Sequence, residues 1–385
     1  MKFSKFLKFL ILTLLFVTNP AFAITEDTEL QPRDYNENST EANQEYAEES
    51  FVDDITKSDS DKAFNEKIEC PKIELCAEKN KLVDNLKLNG AVQAFFDYSQ
   101  PTDSADGSFN FTFLDTHLWV TGNPINENTN FKIMFNPLRD VSGYGGLKTI
   151  FSDVYIQTKT SQHTKLLIGQ SRTPIGIDGS LGQYTLPFVY RSQIARNFSS
   201  IRALGIKHTG SYDFVDYNIG LYDSTRFLQN LAQGTEFTGW VNFKPLAKKP
   251  QYGKLVAGTG VNTGKRFNSY TVLGTYLGYE YKKFSANFEY ADADGYNGTY
   301  NSTNKANGYY GTVAYFVHPK LQVLGRYDFY NPNKYVPKDN CREYTVGLNY
   351  YIKGEKIKLV ANYIFHQNDN KNNSNKFLLM TQLLF

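Results

Sequence analysis

The side chains able to do acid–base or nucleophilic chemistry are few and dispersed in this sequence. Its five histidines, His117, His163, His208, His318 and His366, fall on different segments. None lies in a Gly-x-Ser-x-Gly elbow or a His-Glu-x-x-His metal pair. A hydrolase needs a histidine held beside a nucleophile or carboxylate, and no local spacing here announces one. Cys70 and Cys76 flank Pro-Lys-Ile-Glu-Leu and are close enough for a small disulfide loop in an oxidising compartment. With no neighbouring histidine they do not make a zinc site, and Cys341 has no sequence-adjacent partner. Phosphate-cradling glycine loops and basic–aromatic nucleic-acid patches are absent, so no cofactor, metal or nucleic acid is expected.

What remains is fixed charge, and it is divided along the chain. Between about Thr25 and Glu69 acidic residues such as Glu26, Asp27, Glu48, Glu49, Asp53 and Asp54 outnumber basic ones, and apolar residues are sparse. Such a stretch buries too little surface to offset ordering entropy and reads as disordered. The whole chain sums to +2, so the remainder is basic. A basic bore would favour anions.

The elements that must position those charges are strands. Leu88, Gly90, Val92, Ala94, Phe96 and Tyr98 share one face of the first segment, with Asn89, Gln93 and Asp97 on the other. The same period of two recurs at 213–222 and 342–352. About sixteen segments of roughly 10 residues follow one another, the length a tilted strand needs to cross a bilayer. They begin near 87, 109, 130, 149, 164, 201, 214, 236, 254, 269, 284, 308, 321, 342, 356 and 376. Tight turns at Ser211–Asp213, Lys282–Lys283, His318–Lys320 and Lys353–Lys356 interleave with long polar connections near 223–235, 291–307, 331–341 and 367–375. The fold expected is all-β, a transmembrane antiparallel β-barrel.

Composition and both termini fit this. Mean hydropathy is −0.46, yet the chain holds 28 Tyr and 29 Phe, as when alternate residues face lipid and aromatic girdles mark its two interfaces. Lys2, Lys5 and Lys8, then the apolar run Phe9–Val17, then Pro20-Ala-Phe-Ala23 have the order of a signal peptide. Phe377, Leu379, Thr381, Leu383 and Phe385 form an apolar face closing on an aromatic residue. The expected division is a signal peptide at 1–23, an acidic disordered segment at 24–69, a short periplasmic helical and disulfide segment at 70–86, and an outer-membrane barrel at 87–385.

The connection between about Ser171 and Ile201 is some thirty residues long, far above the usual length. By count it is the third external loop. It is expected to fold inward into the lumen and narrow the channel, the alternative being a flap exposed outside.

The runs Asp153-Val-Tyr-Ile-Gln157, Gly169-Gln-Ser-Arg-Thr-Pro-Ile-Gly176, Arg191-Ser192, Arg202-Ala-Leu-Gly-Ile206, Gly308 to Asp328 and Thr345 to Tyr351 resemble the phosphate-selective porin (O and P type) family. The resemblance covers about 88–385. It implies a sixteen-stranded, usually trimeric diffusion channel in the bacterial outer membrane, with the third loop forming the constriction and small anions permeating. The family's arginine ladder and lysine cluster do not map onto this chain, so the charges support a looser anion preference, with phosphate one candidate.

Strand parity then nominates pore-lining residues. If Val323, Gly325, Tyr327 and Phe329 face lipid, Arg326 and Asp328 face the lumen, and Lys207 points inward opposite Leu204 and Ile206. Arg191 and Arg196 are the cations of the third loop, opposed by Asp178. Arg172 and Arg202 flank that loop and either meet solute or anchor its base. Arg326 and Asp328 are equally explained as a structural salt bridge. The alternatives to a channel are an outer-membrane barrel hydrolase and a structural or adhesin barrel.

Overall fold

Sixteen strands hydrogen-bond in sequence order and close on themselves, each antiparallel to both neighbours, in a computed structural model of the chain. The residues described are 83–104, 106–138, 150–173, 176–198, 202–223, 234–265, 268–296 and 303–385. The stretches expected to be a signal peptide, an acidic disordered segment and a Cys70–Cys76 disulfide loop lie outside them.

The strands are β1 (Asp84–Pro101), β2 (Ser108–Asn123), β3 (Thr129–Phe135), β4 (Phe151–Lys159), β5 (Thr164–Arg172), β6 (Arg202–Ser211), β7 (Val215–Asp223) and β8 (Thr235–Phe243). Then come β9 (Lys254–Lys265), β10 (Ser269–Tyr281), β11 (Phe284–Asp294), β12 (Lys305–His318), β13 (Leu321–Asn331), β14 (Cys341–Lys353), β15 (Ile357–Asn368) and β16 (Ser374–Leu384). Every start lies within three residues of its expected place. The barrel begins at Asp84, so residues 84–86 of the stretch expected to be helical are strand.

Period-two patterning explains why these segments pair into a wall. Leu273 and Leu277 on β10 and Val346 and Leu348 on β14 are exposed outside, while Gln93, Asn349 and Gln382 on the alternate positions are fully buried. Polar groups line the inside and apolar groups the outside, the reverse of a soluble sheet protein.

Closure is made by β1 and β16, with Val92 opposite Leu383. Gly90 and Phe385 exchange both backbone hydrogen bonds, at 2.7 and 2.9 Å. A Cβ at Gly90 would lie 2.3 Å from the Phe385 ring, so any larger residue there must push that ring aside.

One barrel end carries short turns such as 212–214, 282–283, 319–320 and 354–356, and the other carries the connections that include 173–201, 295–304 and 332–340. The alternation has exceptions. The connection 244–253 on the turn end is extended by a 3₁₀ turn at Pro250–Tyr252, and 266–268 on the loop end is short.

Candidate functional site: the inserted third loop and the lumen wall

The long connection after β5 folds into the barrel. Its apolar residues Ile177, Leu181, Leu186, Phe188, Val189, Ile194 and Phe198 are at most 3% exposed, which removes them from water as a core would. Two short helical turns, α1 (Gly176–Ser180) and α2 (Gln193–Phe198), and a 3₁₀ turn at Gln183–Thr185 shape the path. Ile177, Leu181 and Leu186 pack on Trp240, Val256 and Tyr276, Phe188 on Ala314 and Leu324, and Val189 on Val360, Ile364 and Leu378. Ile194 and Phe198 sit among Tyr270, Ala291, Ala306, Tyr310 and Tyr330. Small wall residues make the room: a Cβ on Gly308 would stand 2.5 Å from Ile194 Cγ2.

An irregular backbone buried in this way must find partners for its N–H and C=O groups. The wall supplies them from widely separated strands. Glu289 on β11 accepts from Ile177 N at 3.0 Å, Asp328 on β13 from Gln193 N at 3.0 Å, and Asn362 on β15 from Val189 N at 2.8 Å. Lys358 Nζ on β15 donates to the carbonyls of Tyr184 and Leu186, Gln382 Nε2 on β16 to Tyr184 O at 3.0 Å, and Asn349 Nδ2 on β14 to Pro187 O at 2.9 Å. The expectation of an inward loop is met, and the flap alternative is not.

The seven residues nominated from sequence fall into two groups. Arg172, Arg191, Arg196, Arg326 and Asp328 all engage the loop. Arg172 donates to Leu181 O, and Arg191 to Asp178 O and, at 2.7 Å, to Leu181 O. Burial pushes the Arg191 guanidinium down to about 10, against the opposing pull of Asp178, so it stays charged at neutral pH. Arg196 pairs with Glu343 at 2.6 Å and keeps a third of its side chain exposed. Arg326 points inward, as parity required; it donates to Tyr190 O at 3.0 Å, stacks 4.6 Å over the Phe188 ring and lies 3.3 Å from Asp328. Arg202 and Lys207 sit on β6, half-buried.

Around Arg202 is a second cluster, which only partly follows from the sequence. The Asp153 carboxylate takes Arg202 Nε at 2.6 Å and Lys132 Nζ at 3.5 Å, and Arg172 acts on it through space. Lys132 also lies 5.6 Å over the Trp119 ring. Three cations thus surround one carboxylate on the β3–β6 wall. Lys132 alternates with Phe131 and Ile133, so parity on β3 was the signal that would have found it.

His117 provides a geometry that the sequence hid. Its Nε2 lies 2.9 Å from Ser152 Oγ and its Nδ1 3.0 Å from Asp115, with the Tyr184 hydroxyl 2.5 Å away on the Nδ1 side. This is the order of an acyl-transfer triad. Ser152 is 1% exposed, however, so its hydroxyl is closed off in this structure. The group seats Tyr184, which also stacks on Trp119 at 6.0 Å.

A closed wall of sixteen strands whose third long connection enters the lumen defines the architecture for comparison. Residues 219–384 match the phosphate-selective porin O and P family. The pieces of resemblance at 308–328 and 345–351 lie inside that interval; those at 153–206 lie before it. Among solved structures the fold is shared with an anion-selective porin from Comamonas acidovorans (TM-score 0.58, 13% identity, 78% of this chain and 99% of that one). A loop L8 deletion mutant of OmpT, an outer membrane protein of Vibrio cholerae, aligns with a TM-score of 0.57 at 13% identity, over 78% of this chain and 100% of that one. The outer membrane channel DcaP of Acinetobacter baumannii follows at 0.54 and 14%, over 80% and 99%. No curated protein matches the sequence.

Proposed function

We propose that the chain is a porin of the Gram-negative outer membrane, a passive-diffusion channel for small hydrophilic solutes that prefers anions, with phosphate among them. It works without catalysis. The apolar exterior and closed wall suit a bilayer, and both ends of the sheet then lie on the periplasmic side, with the third loop entering from outside.

The observation that carries the anion preference is the excess of cations around Asp153. Lys132, Arg172 and Arg202 act on one carboxylate, so that wall carries net positive charge. Fixed positive charge in a water-filled bore lowers the barrier for anions and raises it for cations. The anion-selective porin that shares this fold and the family match over 219–384 agree with the reading. A trimer form of OmpT from Vibrio cholerae also shares the fold, with a TM-score of 0.51, and supports a homotrimer here.

Purified protein reconstituted in a planar bilayer under a salt gradient tests this. Discrete current steps with an anion-favouring reversal potential are expected. A silent bilayer, or a cation-favouring potential, would overturn the proposal.

A further inference from the structure

The two ends of the barrel differ in charge. The seven turns of one end, each taken with the strand residue on either side, carry ten lysines against three carboxylates, those of Glu127, Asp213 and Glu355. At the other end the connections 332–340 and 369–373 are near balance, with Lys334, Lys338 and Lys371 against Asp339 and Asp369. Among the described residues the excess of cations therefore gathers at the turn end.

It is densest on the turns 244–253 and 282–283, which adjoin because β9 pairs with β10 and Lys254 lies 4.0 Å from Glu280. The longer turn is firmly built. Lys244 N donates to Phe214 O at 2.8 Å, Lys249 N to Leu246 O at 2.8 Å and Tyr252 N to Lys249 O at 3.0 Å, and the Tyr279 hydroxyl donates to Tyr252 O at 2.9 Å. On this frame Lys248 and Lys249 are exposed, as are Lys282 and Lys283 on the neighbouring turn. Lys248 Nζ lies 5.0 Å over the Phe214 ring and Lys282 Nζ 5.0 Å over the Tyr281 ring, and both rings are themselves exposed. Cations set among open aromatic faces suit an acidic chain that carries apolar side chains of its own.

This sequence holds such a chain. Residues 46–61 carry the carboxylates of Glu48, Glu49, Asp53, Asp54, Asp59 and Asp61 against the single Lys57, with Tyr46, Phe51, Val52 and Ile55 among them. They join the barrel at its basic end, because β1 starts there at Asp84. From β1 through β16 to β11 the wall is six strand spacings of ~4.8 Å, roughly 29 Å. The linking residues 62–83 can reach roughly 73 Å at ~3.3 Å each. A tether of this kind holds its acidic run at a local concentration on the order of millimolar, which no free partner of the same charge matches.

We propose that residues 46–61 dock on the lysine turns 244–253 and 282–283 of their own barrel and mask its basic end. The proposal rests on the membrane-barrel reading only in placing that end in the periplasm. Carboxylates laid over Lys248, Lys249, Lys282 and Lys283 lower the positive potential at this mouth, so the segment moderates the attraction of anions there. Salt weakens the contact, since its charges are exposed to water.

A carbodiimide, which joins a lysine directly to a carboxylate, tests this on the purified full chain in detergent, with isotope-labelled and unlabelled copies mixed. Adducts between residues 48–61 and Lys248, Lys249, Lys282 or Lys283 of the same copy are expected. They should be lost at 1 M salt, where the screening length falls to about 3 Å, and lost when the four lysines are each changed to Glu. These lysines lie outside the strand ladders, and heat-modifiable gel mobility reports whether that variant folds; the salt result stands without it. No adducts, adducts equally abundant at Lys334, Lys338 and Lys371, or adducts only between copies would overturn the proposal. So would adducts that vanish when the barrel enters vesicles containing phosphatidylglycerol, which would assign the lysines to lipid phosphate. In a planar bilayer, deleting residues 46–61 should move the reversal potential further towards anions, and an unmoved potential would strike the masking. A silent bilayer with these adducts defeats the channel and keeps the docking; anion-selective steps without adducts do the reverse.

Discussion

Lys358 Nζ donates to Tyr184 O at 2.9 Å and to Leu186 O at 3.2 Å, so a single buried ammonium on β15 grips the third loop beside its 3₁₀ turn. Glu355, two residues before β15, is the counter-charge at 2.5 Å. Replacing Lys358 with Met leaves the buried Leu186 carbonyl unpaired, a cost of about 1–3 kcal/mol, and leaves Tyr184 O to Gln382 alone. The strand ladders do not depend on Lys358, so the barrel persists and the loop loosens. Single-channel recordings of Lys358→Met should show higher conductance and greater open-channel noise than the parent. Unchanged traces would mean that Gln382 and the apolar packing suffice.

The proposed anion preference rests on the cations around Asp153. Removing one cation at ~5 Å from a passing anion in water forfeits about 0.8 kcal/mol, roughly a fourfold change in occupancy. Lys132→Ala and Arg202→Ala should each move the reversal potential towards cations, and the double variant further. High salt should shrink both effects as screening shortens the reach of the charges. A potential unmoved by the double variant would place the permeation path away from this wall.

The strand framework was legible because its signal is local. Val346, Leu348 and Tyr350 alternate with Thr345 and Asn349, and that pattern alone tells inside from outside. The inward turn of the third loop was legible from length. Its attachment was not, because each partner lies far off in sequence: Val189 N reaches Asn362, 173 residues on, and Gln193 N reaches Asp328, 135 on. Nothing near Asn362 or Glu289 marks either as an acceptor for a loop. The same holds for His117, whose partners Ser152 and Tyr184 come from β4 and the loop. Composition showed a basic barrel, but only the fold brings Lys132 and Arg202 to one carboxylate.

Gly308 tests the fit between loop and wall. A Cβ there meets Ile194 at 2.5 Å and the Phe329 carbonyl at 2.5 Å, so neither neighbour can yield cheaply. Gly308→Val should expel Ile194 from its seat, with an overpacking cost of about 1–3 kcal/mol. Limited proteolysis from the extracellular side should then cut between α1 and α2 faster than in the parent. An equal rate would show that α2 is held without Ile194.

At the loop end, Asp369 accepts from Arg342 Nη1 at 2.8 Å and from Asn340 Nδ2 at 2.9 Å, tying the connection 369–373 to 332–340. The Arg342 hydrogen bond holds the Asp369 carboxyl below the usual carboxylate range. A lowered folded value means that the clasp is intact above the ordinary aspartate range and is lost as pH falls through the lowered value. Hydrogen exchange at Asn340 and Asp369 should be flat from pH 8 to about 5 after correction for intrinsic rates, then rise in acid. Asp369→Asn should show the acid rate at every pH.

Arg326 and Asp328 decide whether charge on β13 serves solute or loop. The pair is sealed, at 2% and 0% side-chain exposure, and each partner also binds the loop: the guanidinium takes Tyr190 O, and the carboxylate takes Gln193 N. Removing one member of a buried pair leaves the other uncompensated, at about 3–5 kcal/mol, whereas removing both is far milder. Arg326→Met should therefore lower the unfolding midpoint and raise conductance together, and Asp328→Asn in that background should recover part of both. A purely selective role would look different: Arg326→Met would shift the reversal potential with conductance and stability unchanged, and the second substitution would rescue nothing. The observed stacking of Arg326 on Phe188, a loop residue, favours the first outcome.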